Sequence, residues 1–225
     1  MDCLKYILLL LPAISLSVQV LFGQVNSFSV GIQAGLTQRY LYGSELFKEK
    51  HLSSAAYSVS LQFTQSFKNH FSIVLPIGYE KKGSLSRNSV PFPNGNPGGY
   101  ADFYFDFHYL TFPLLFRASL GNKWQVFLEA GPMFAYLLLQ QTKLKSNVLV
   151  LEDQSMTGNF KRNDFGICSG AGSSIAVTKR MSLGLSYRCN AGLKALNLYK
   201  LDNNGQVKTM SHTFSFFLDY FLFRW

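Results

Sequence analysis

Charged side chains are scarce among the alternating apolar and small residues of this chain, and they hold most of its chemistry. Arg117, Glu129 and Arg188 each stand on the polar phase of a different segment. A guanidinium pairs with a carboxylate through two hydrogen bonds, whereas a buried charge without a partner is costly. We therefore expect one network of these three residues, which either closes an interior or gates small ions. The charged residues expected to face that interior are Glu80, Arg117, Glu129 and Arg188, with Asp219 and Arg39 as further candidates.

The histidines offer the other candidate chemistry, because a histidine beside an acid can activate a hydroxyl for attack on an ester. His108 with Asp106 is the one local pair that resembles half of such a set. The four histidines lack metal-ligand spacing, and the motifs HExxH, CxxC and GxSxG do not occur in the sequence. We therefore expect no enzymatic activity, no metal and no cofactor. We expect His108 to have a structural role at the rim of the fold.

The composition points to β-structure. The chain has 225 residues, of which 48% are hydrophobic, 16% aromatic and only 15% charged. A low charged fraction with ordinary apolar content excludes a disordered or coiled-coil protein. The 18 glycines and 21 phenylalanines favour strands over helices. The length suits one domain, or two small ones at most.

The first 23 residues have the pattern of a signal peptide. Lys5 precedes an apolar stretch at 6–20, and the small Gly23 gives a cleavage point before Gln24. We expect residues 1–23 to be removed and residues 24–225 to form the mature domain, with a retained N-terminal anchor as the alternative. Elsewhere the sequence has no uninterrupted apolar run of the length that a membrane-spanning helix needs.

From Phe28 onward the sequence alternates between apolar and small polar residues, which is the period of a strand with two unlike faces. In the fourth segment the apolar phase changes, and a bulge near His108 is the simplest explanation. Most segments are long enough to cross a membrane as tilted strands. The eight predicted strands lie within 28–37, 57–64, 71–80, 103–118, 126–136, 164–177, 181–190 and 213–225.

The connections between these segments alternate strictly between short and long. Short polar turns are expected at 68–70, 119–123 and 178–180, and long loops at 41–54, 81–102, 140–163 and 194–212. This order matches an all-β, eight-stranded antiparallel up-and-down transmembrane β-barrel with both termini at the side of the short turns. The Gly, Ser, Thr and Gln of the polar phase suit a narrow interior. A periplasmic β-sandwich or lipocalin-like carrier remains the alternative, because alternation alone does not tell which face is wet.

Four segments resemble the PorT-type outer-membrane β-barrel family of Bacteroidetes. They are FSIVLPIGYEKKG at 71–83, YLTFPLLFR at 109–117, FLEAGPMFAYLL at 127–138 and DFGICSGAG at 164–172. The tract Glu129, Ala130, Gly131 and Pro132, with the upstream Pro113, is the most specific part. The resemblance covers nearly the whole mature chain and implies a small monomeric barrel in the outer membrane. For most members it implies no assigned biochemical activity.

The chain end resembles the signal that the barrel-assembly machinery reads, although it runs a few residues further than is usual in the family. The residues that carry this resemblance are Tyr220, Phe223 and Trp225. The machinery is therefore an expected partner.

Strand phase also makes predictions for the cysteines and prolines. Cys168 and Cys189 stand on opposite phases of neighbouring strands, so we expect two free thiols, with Cys189 facing lipid. Pro76, Pro113 and Pro132 cannot donate to a strand ladder, so each is expected to mark a bulge or the barrel rim.

The net charge of +9 comes mostly from turns and loops, without a basic and aromatic groove, so no nucleic-acid partner is expected. We expect the loop cations to bind the phosphate groups of lipopolysaccharide, which with outer-membrane lipid is the expected partner of the barrel. The Gly-rich tract 94–99 would let the second loop dock a protein.

We expect a structural or interaction barrel with a plugged lumen. A narrow ion pore, or a lipid-modifying enzyme, is the alternative. The cations assigned to turns and loops include Lys48, Lys50, Lys81, Lys82, Arg87, Lys143, Lys145, Lys161, Arg162 and Lys208.

Overall fold

A computed structural model gives the structure of residues 25–43, 51–67, 70–90, 98–147, 154–196 and 206–224. The predicted signal peptide, 1–23, lies outside the described residues. Within them the chain is almost entirely β-structure, with a single 3-10 turn at Thr157–Asn159. The strands are β1 (Val25–Tyr42), β2 (His51–Leu52), β3 (Ser54–Phe67), β4 (Phe71–Val90), β5 (Gly99–Pro113), β6 (Leu115–Leu120), β7 (Trp124–Ser146), β8 (Gln154–Ser155), β9 (Asn163–Ala176), β10 (Met181–Gly192) and β11 (Lys208–Arg224).

The long strands close into an antiparallel ring. Each pairs with its neighbours along the chain, and β1 pairs with β11 to seal the sheet. β5 and β6 follow one another along the same line in the barrel wall, since both lie between β4 and β7, and we count them as one strand of the ring. Counted in this way the wall has eight strands, which confirms the predicted barrel. β2 and β8 are two-residue additions that pair with β4 and β7 beyond the ring.

The barrel is apolar outside and polar inside. Outward residues such as Leu36, Leu128 and Phe216 are 74%, 68% and 75% exposed, while inward residues such as Gln62 and Thr37 are buried. A soluble sandwich or a lipocalin-like carrier would bury its apolar phase instead. Both alternatives are therefore excluded, and the outer surface suits lipid.

The β5–β7 and β1–β11 strand pairings each contain a register shift. The β5–β7 register shifts between His108 and Tyr109, which confirms the predicted bulge. A second shift, in the β1–β11 pairing, separates Phe223 from Phe221 and settles the phase of the last strand. Because of this extra residue, Leu222 and Phe223 are both exposed.

The three prolines lie together at one level of the wall, which corrects the prediction of a bulge or a rim. Pro113 ends β5, and the adjoining Leu114 donates to the carbonyl of Pro132 on β7 at 2.9 Å. The β4 pairings with β5 and β6 keep one register on both sides of Leu114, and Pro76 stands on β4 between them. The missing donors thus interrupt the ladder without inserting a residue.

The predicted long loops are shorter than expected because the strands continue past the apolar band. Most of 81–102 is a paired hairpin, with Val90 opposite Gly99, and β7 runs on to Ser146. Arg87 and Asp102 face each other there, with bonds of 2.8 Å from Nε and Nη2. These bonds lower the pKa of the Asp102 carboxyl.

Cys168 and Cys189 are both free, as predicted. Cys168 is buried toward the lumen, and Cys189 is partly exposed on the outer surface of the neighbouring strand. Among the described residues no helix has the length and apolarity needed to cross a membrane.

Candidate functional site

The middle of the lumen holds a set of hydrogen-bonded polar side chains, here called the central network: Arg117, Glu129, Arg188, Gln33 and Gln62. Arg117 on β6 stands directly opposite Glu129 on β7, and its Nε and Nη2 donate to Oε2 at 3.0 and 2.8 Å. Arg188 reaches across from β10 and donates to the other oxygen, Oε1, at 2.5 Å. One carboxylate therefore holds two guanidinium groups, each on its own oxygen.

Arg188 extends the central network to the opposite wall. Its Nη1 donates to Gln33 on β1 at 2.5 Å, and its Nη2 donates to Gln62 on β3 at 2.9 Å. Gln62 in turn donates to Asp219 on β11 at 3.3 Å. The network thus connects strands on both sides of the lumen. The two glutamines were not among the predicted site residues, although both fall on the inward phase, where an amide can accept from an arginine.

Glu80 belongs to a separate cluster, nearer the end of the barrel that carries the long connections. In outer-membrane barrels this is the extracellular end. It accepts from Asn190 at 3.2 Å and from Ser211 at 2.5 Å, and Lys82 lies 4.0 Å away. Lys82 is fully buried in the lumen, with its ammonium 5.4 Å from the ring centre of Tyr109. The assignment of Lys82 to the loop cations was therefore wrong, because β4 continues and its even positions face inward.

Asp106 and His108 bond to different partners among the described residues. Asp106 binds two cations, Arg39 at 2.6 Å and Lys81 at 2.6 Å. Nδ1 of His108 instead bonds the hydroxyl of Tyr79 at 2.5 Å. Arg39 also donates to the carbonyl of Lys82, so it ties β1 to β4 and β5. Through these two ion pairs Asp106 links its own strand, β5, to β1 and β4.

An apolar cluster, here called the upper plug, fills the extracellular end of the lumen. Leu196 and Val207 belong to the connection between β10 and β11, where the Leu196 N–H donates to the Val207 carbonyl at 2.8 Å. Both pack against inward residues of the wall. The alternation did not reveal this plug, because connecting residues have no strand phase. The buried members are Leu41, Phe107, Tyr109, Ala135, Leu137, Leu196 and Val207.

Two residues of the predicted assembly signal lie on the outer surface. Tyr220 and Phe223 of the predicted assembly signal are each 42% exposed toward lipid, and Trp225 lies outside the described residues. Among the described residues, no three His, Cys, Asp or Glu side chains stand close enough to hold a metal ion.

Several solved outer-membrane structures are similar to this chain at low sequence identity. No curated protein matches the sequence. Among solved structures, Neisserial surface protein A is 16% identical, with a TM-score of 0.48 over 88% of this chain and 98% of its own. OprG from Pseudomonas aeruginosa is 10% identical, with a TM-score of 0.47 over 89% and 98%. Outer membrane protein W of E. coli is 12% identical, with a TM-score of 0.43 over 90% and 100%.

A family model described as an outer membrane protein beta-barrel domain matches residues 16–197. That match covers most of the wall, including every residue of the central network. With its apolar outer band and its closed ring of strands, the chain belongs to this family and is an integral β-barrel protein of the outer membrane.

Proposed function

We propose that the protein is a structural and interaction barrel of the cell envelope that neither conducts ions nor catalyses a reaction. Two layers of buried side chains inside the lumen support this. The central network spans the middle with charge-assisted hydrogen bonds, and the upper plug fills the extracellular end with apolar side chains. An ion would have to break the first layer and dehydrate to pass the second.

Conductance in planar bilayers tests this proposal against the narrow-pore alternative. The wild-type barrel is expected to give no steady single-channel current. Arg188→Gln should still give none, because the upper plug remains in place. Arg188→Gln combined with Leu196→Ser should conduct, since both layers are then weakened. A steady current from the wild-type barrel would contradict closure and favour the ion pore.

We also propose that the extracellular end binds lipopolysaccharide. Two exposed cations beside aromatic side chains support this. Arg162 donates to the hydroxyl of Tyr136 at 3.2 Å, and Lys145 lies 5.3 Å from the ring centre of Tyr104. Aromatic side chains favour the membrane interface, and cations held there can pair with lipid phosphates.

Arg162→Gln with Lys145→Gln is expected to weaken binding of purified lipopolysaccharide about tenfold, because two phosphate-pairing groups are lost. The matched control is Lys179→Gln with Arg180→Gln, which removes the same charge at the other end. Arg180 even makes an equivalent bond, to the hydroxyl of Tyr220 at 3.4 Å. Binding would be measured on immobilised barrels at low and high salt. Equal loss in both double variants would show a general charge effect and no site.

Within the family, we propose the PorT-type branch of Bacteroidetes, with the barrel-assembly machinery as the partner during insertion. The support is the tract Glu129 to Pro132 in β7, which faces the break after Pro113. Detergent extraction with heat-modifiable gel mobility, after depletion of the assembly machinery, tests the second part. Undiminished insertion under depletion would contradict it.

A further inference from the structure

The periplasmic end of the lumen holds an open cavity of about 350 Å³, here called the vestibule. It lies below the central network, on the side of the short turns, and eight serine and threonine residues line it. A volume at the lower end of the range of small-molecule sites accommodates a compact polar ligand. The central network bounds its inner end, so on the proposed closure of the lumen the vestibule is a pocket.

Arg117 and Asp219 form the inner wall of the vestibule, and each has unused hydrogen-bonding capacity. Both are more than nine-tenths buried. Arg117 gives Nε and Nη2 to Glu129, while its Nη1 makes no hydrogen bond among the described residues. Asp219 accepts only from Gln62 within the described part of the chain, at 3.3 and 3.5 Å.

Thr64 adds an independent sign that a ligand belongs here. Its side chain lines the vestibule and is 7% exposed, and its hydroxyl is a buried oxygen without a partner. Buried polar groups in folded proteins are almost always hydrogen-bonded, to protein, water or ligand. The cavity is thus lined by an unpaired buried hydroxyl and by a guanidinium with one unused nitrogen, and both could bond a polar molecule.

The lining chemistry selects the class of that molecule. Serine and threonine hydroxyls both donate and accept, Arg117 donates, Lys123 donates from the exposed mouth, and Asp219 accepts. A simple anion would meet the carboxylate of Asp219, and a simple cation would meet the guanidinium of Arg117. A neutral polyol offers donors and acceptors at every carbon. The aromatic ring of Phe221 supplies apolar surface for the C–H groups of such a ligand, while the ring of Phe127 lies 4.0 Å from the Arg117 guanidinium and holds it in place.

We propose that the vestibule binds a small neutral polyhydroxylated solute of about monosaccharide size, entering from the periplasm. The closed inner end makes this a binding site without transport. The proposal is independent of the lipopolysaccharide site, which lies at the opposite end of the barrel.

Saturation-transfer NMR on the barrel in a detergent without a sugar headgroup tests the proposal. Glucose and sorbitol are the observed probes, and sulfate and acetate are controls whose binding is measured by displacement of the probe signal, because sulfate has no protons of its own. Saturable binding of the polyols in the millimolar range, with weaker or no binding of the anions, is expected. Tighter binding of sulfate or acetate would overturn the ligand class. Absence of saturable polyol binding would overturn the site and leave a vestibule that holds only water.

Two variants locate the binding. Ser182→Phe places a ring in the vestibule and should weaken polyol binding about tenfold or more. Ser169→Phe, on the outer surface, is the matched control and should leave it unchanged. Heat-modifiable gel mobility shows whether each variant folds. If Ser182→Phe fails to fold, Asp219→Asn removes the acceptor charge with little change of shape and should weaken polyol binding several-fold. Unchanged affinity in a folded Ser182→Phe or Asp219→Asn barrel would overturn the proposal.

Discussion

Glu129→Gln is expected to lower the free energy of unfolding of the barrel by about 3 kcal/mol, because it leaves two buried cations without an anion. In the folded protein the carboxylate accepts from Arg117 and Arg188 on separate oxygens, and all three side chains are buried. An amide can accept from one arginine only, and its NH2 group would face the other as a donor. The two guanidinium groups would then repel each other across a narrow interior.

Urea titration of the barrel in lipid vesicles, followed by tryptophan fluorescence, measures this loss. The matched control is Glu80→Gln, the same substitution at another buried lumen carboxylate. Glu80 accepts from the neutral donors Asn190 and Ser211, and its nearest cation, Lys82, is 4.0 Å away. Only one cation, Lys82, loses a nearby anion here, and at a longer distance, so the loss should be smaller, about 2 kcal/mol.

Arg188→Gln in the Glu129→Gln background separates pairing from simple loss of stability. If the ion pair carries the effect, the double variant should lose less stability than the sum of the single variants. Equal losses for Glu129→Gln and Glu80→Gln, with additive double variants, would show that the central network adds nothing beyond ordinary hydrogen bonds.

The alternation of the sequence was enough to predict the barrel because a strand with two unlike faces has a strict period of two. The same phase placed Arg117, Glu129 and Arg188 in one interior, and the short turn between β6 and β7 put the first two directly opposite each other. Register across a tight hairpin is set by the turn, so this pair could be derived without a structure.

Other parts of the lumen depend on distances that the sequence does not contain. Gln33 and Gln62 meet Arg188 across the barrel, from strands more than a hundred residues away. Lys82 was misplaced because a strand that leaves the apolar band looks like a loop once its residues become polar. The upper plug was missed for a related reason, since Leu196 and Val207 fold inward from a connection with no period.

Gly131→Ala should destabilise the barrel by about 3 kcal/mol, the upper part of the range for overpacking. Its added Cβ would lie 1.9 Å from the carbonyl oxygen of Leu114, a backbone atom. Leu114 cannot easily move away, because its N–H donates to the carbonyl of Pro132. Three prolines at this level already reduce the number of backbone hydrogen bonds between the strands. The close approach of these strands therefore requires glycine at this position.

Gly158→Ala is the control, because nothing lies within 4 Å of its added Cβ. Unfolding in urea should show a clear loss for Gly131→Ala and no change for Gly158→Ala. A Gly131→Ala barrel as stable as the wild type would mean that β6 and β7 can separate at Leu114. The proline level would then be a flexible part of the wall, whereas a large loss identifies it as a rigid junction that sets the register of the strands above and below.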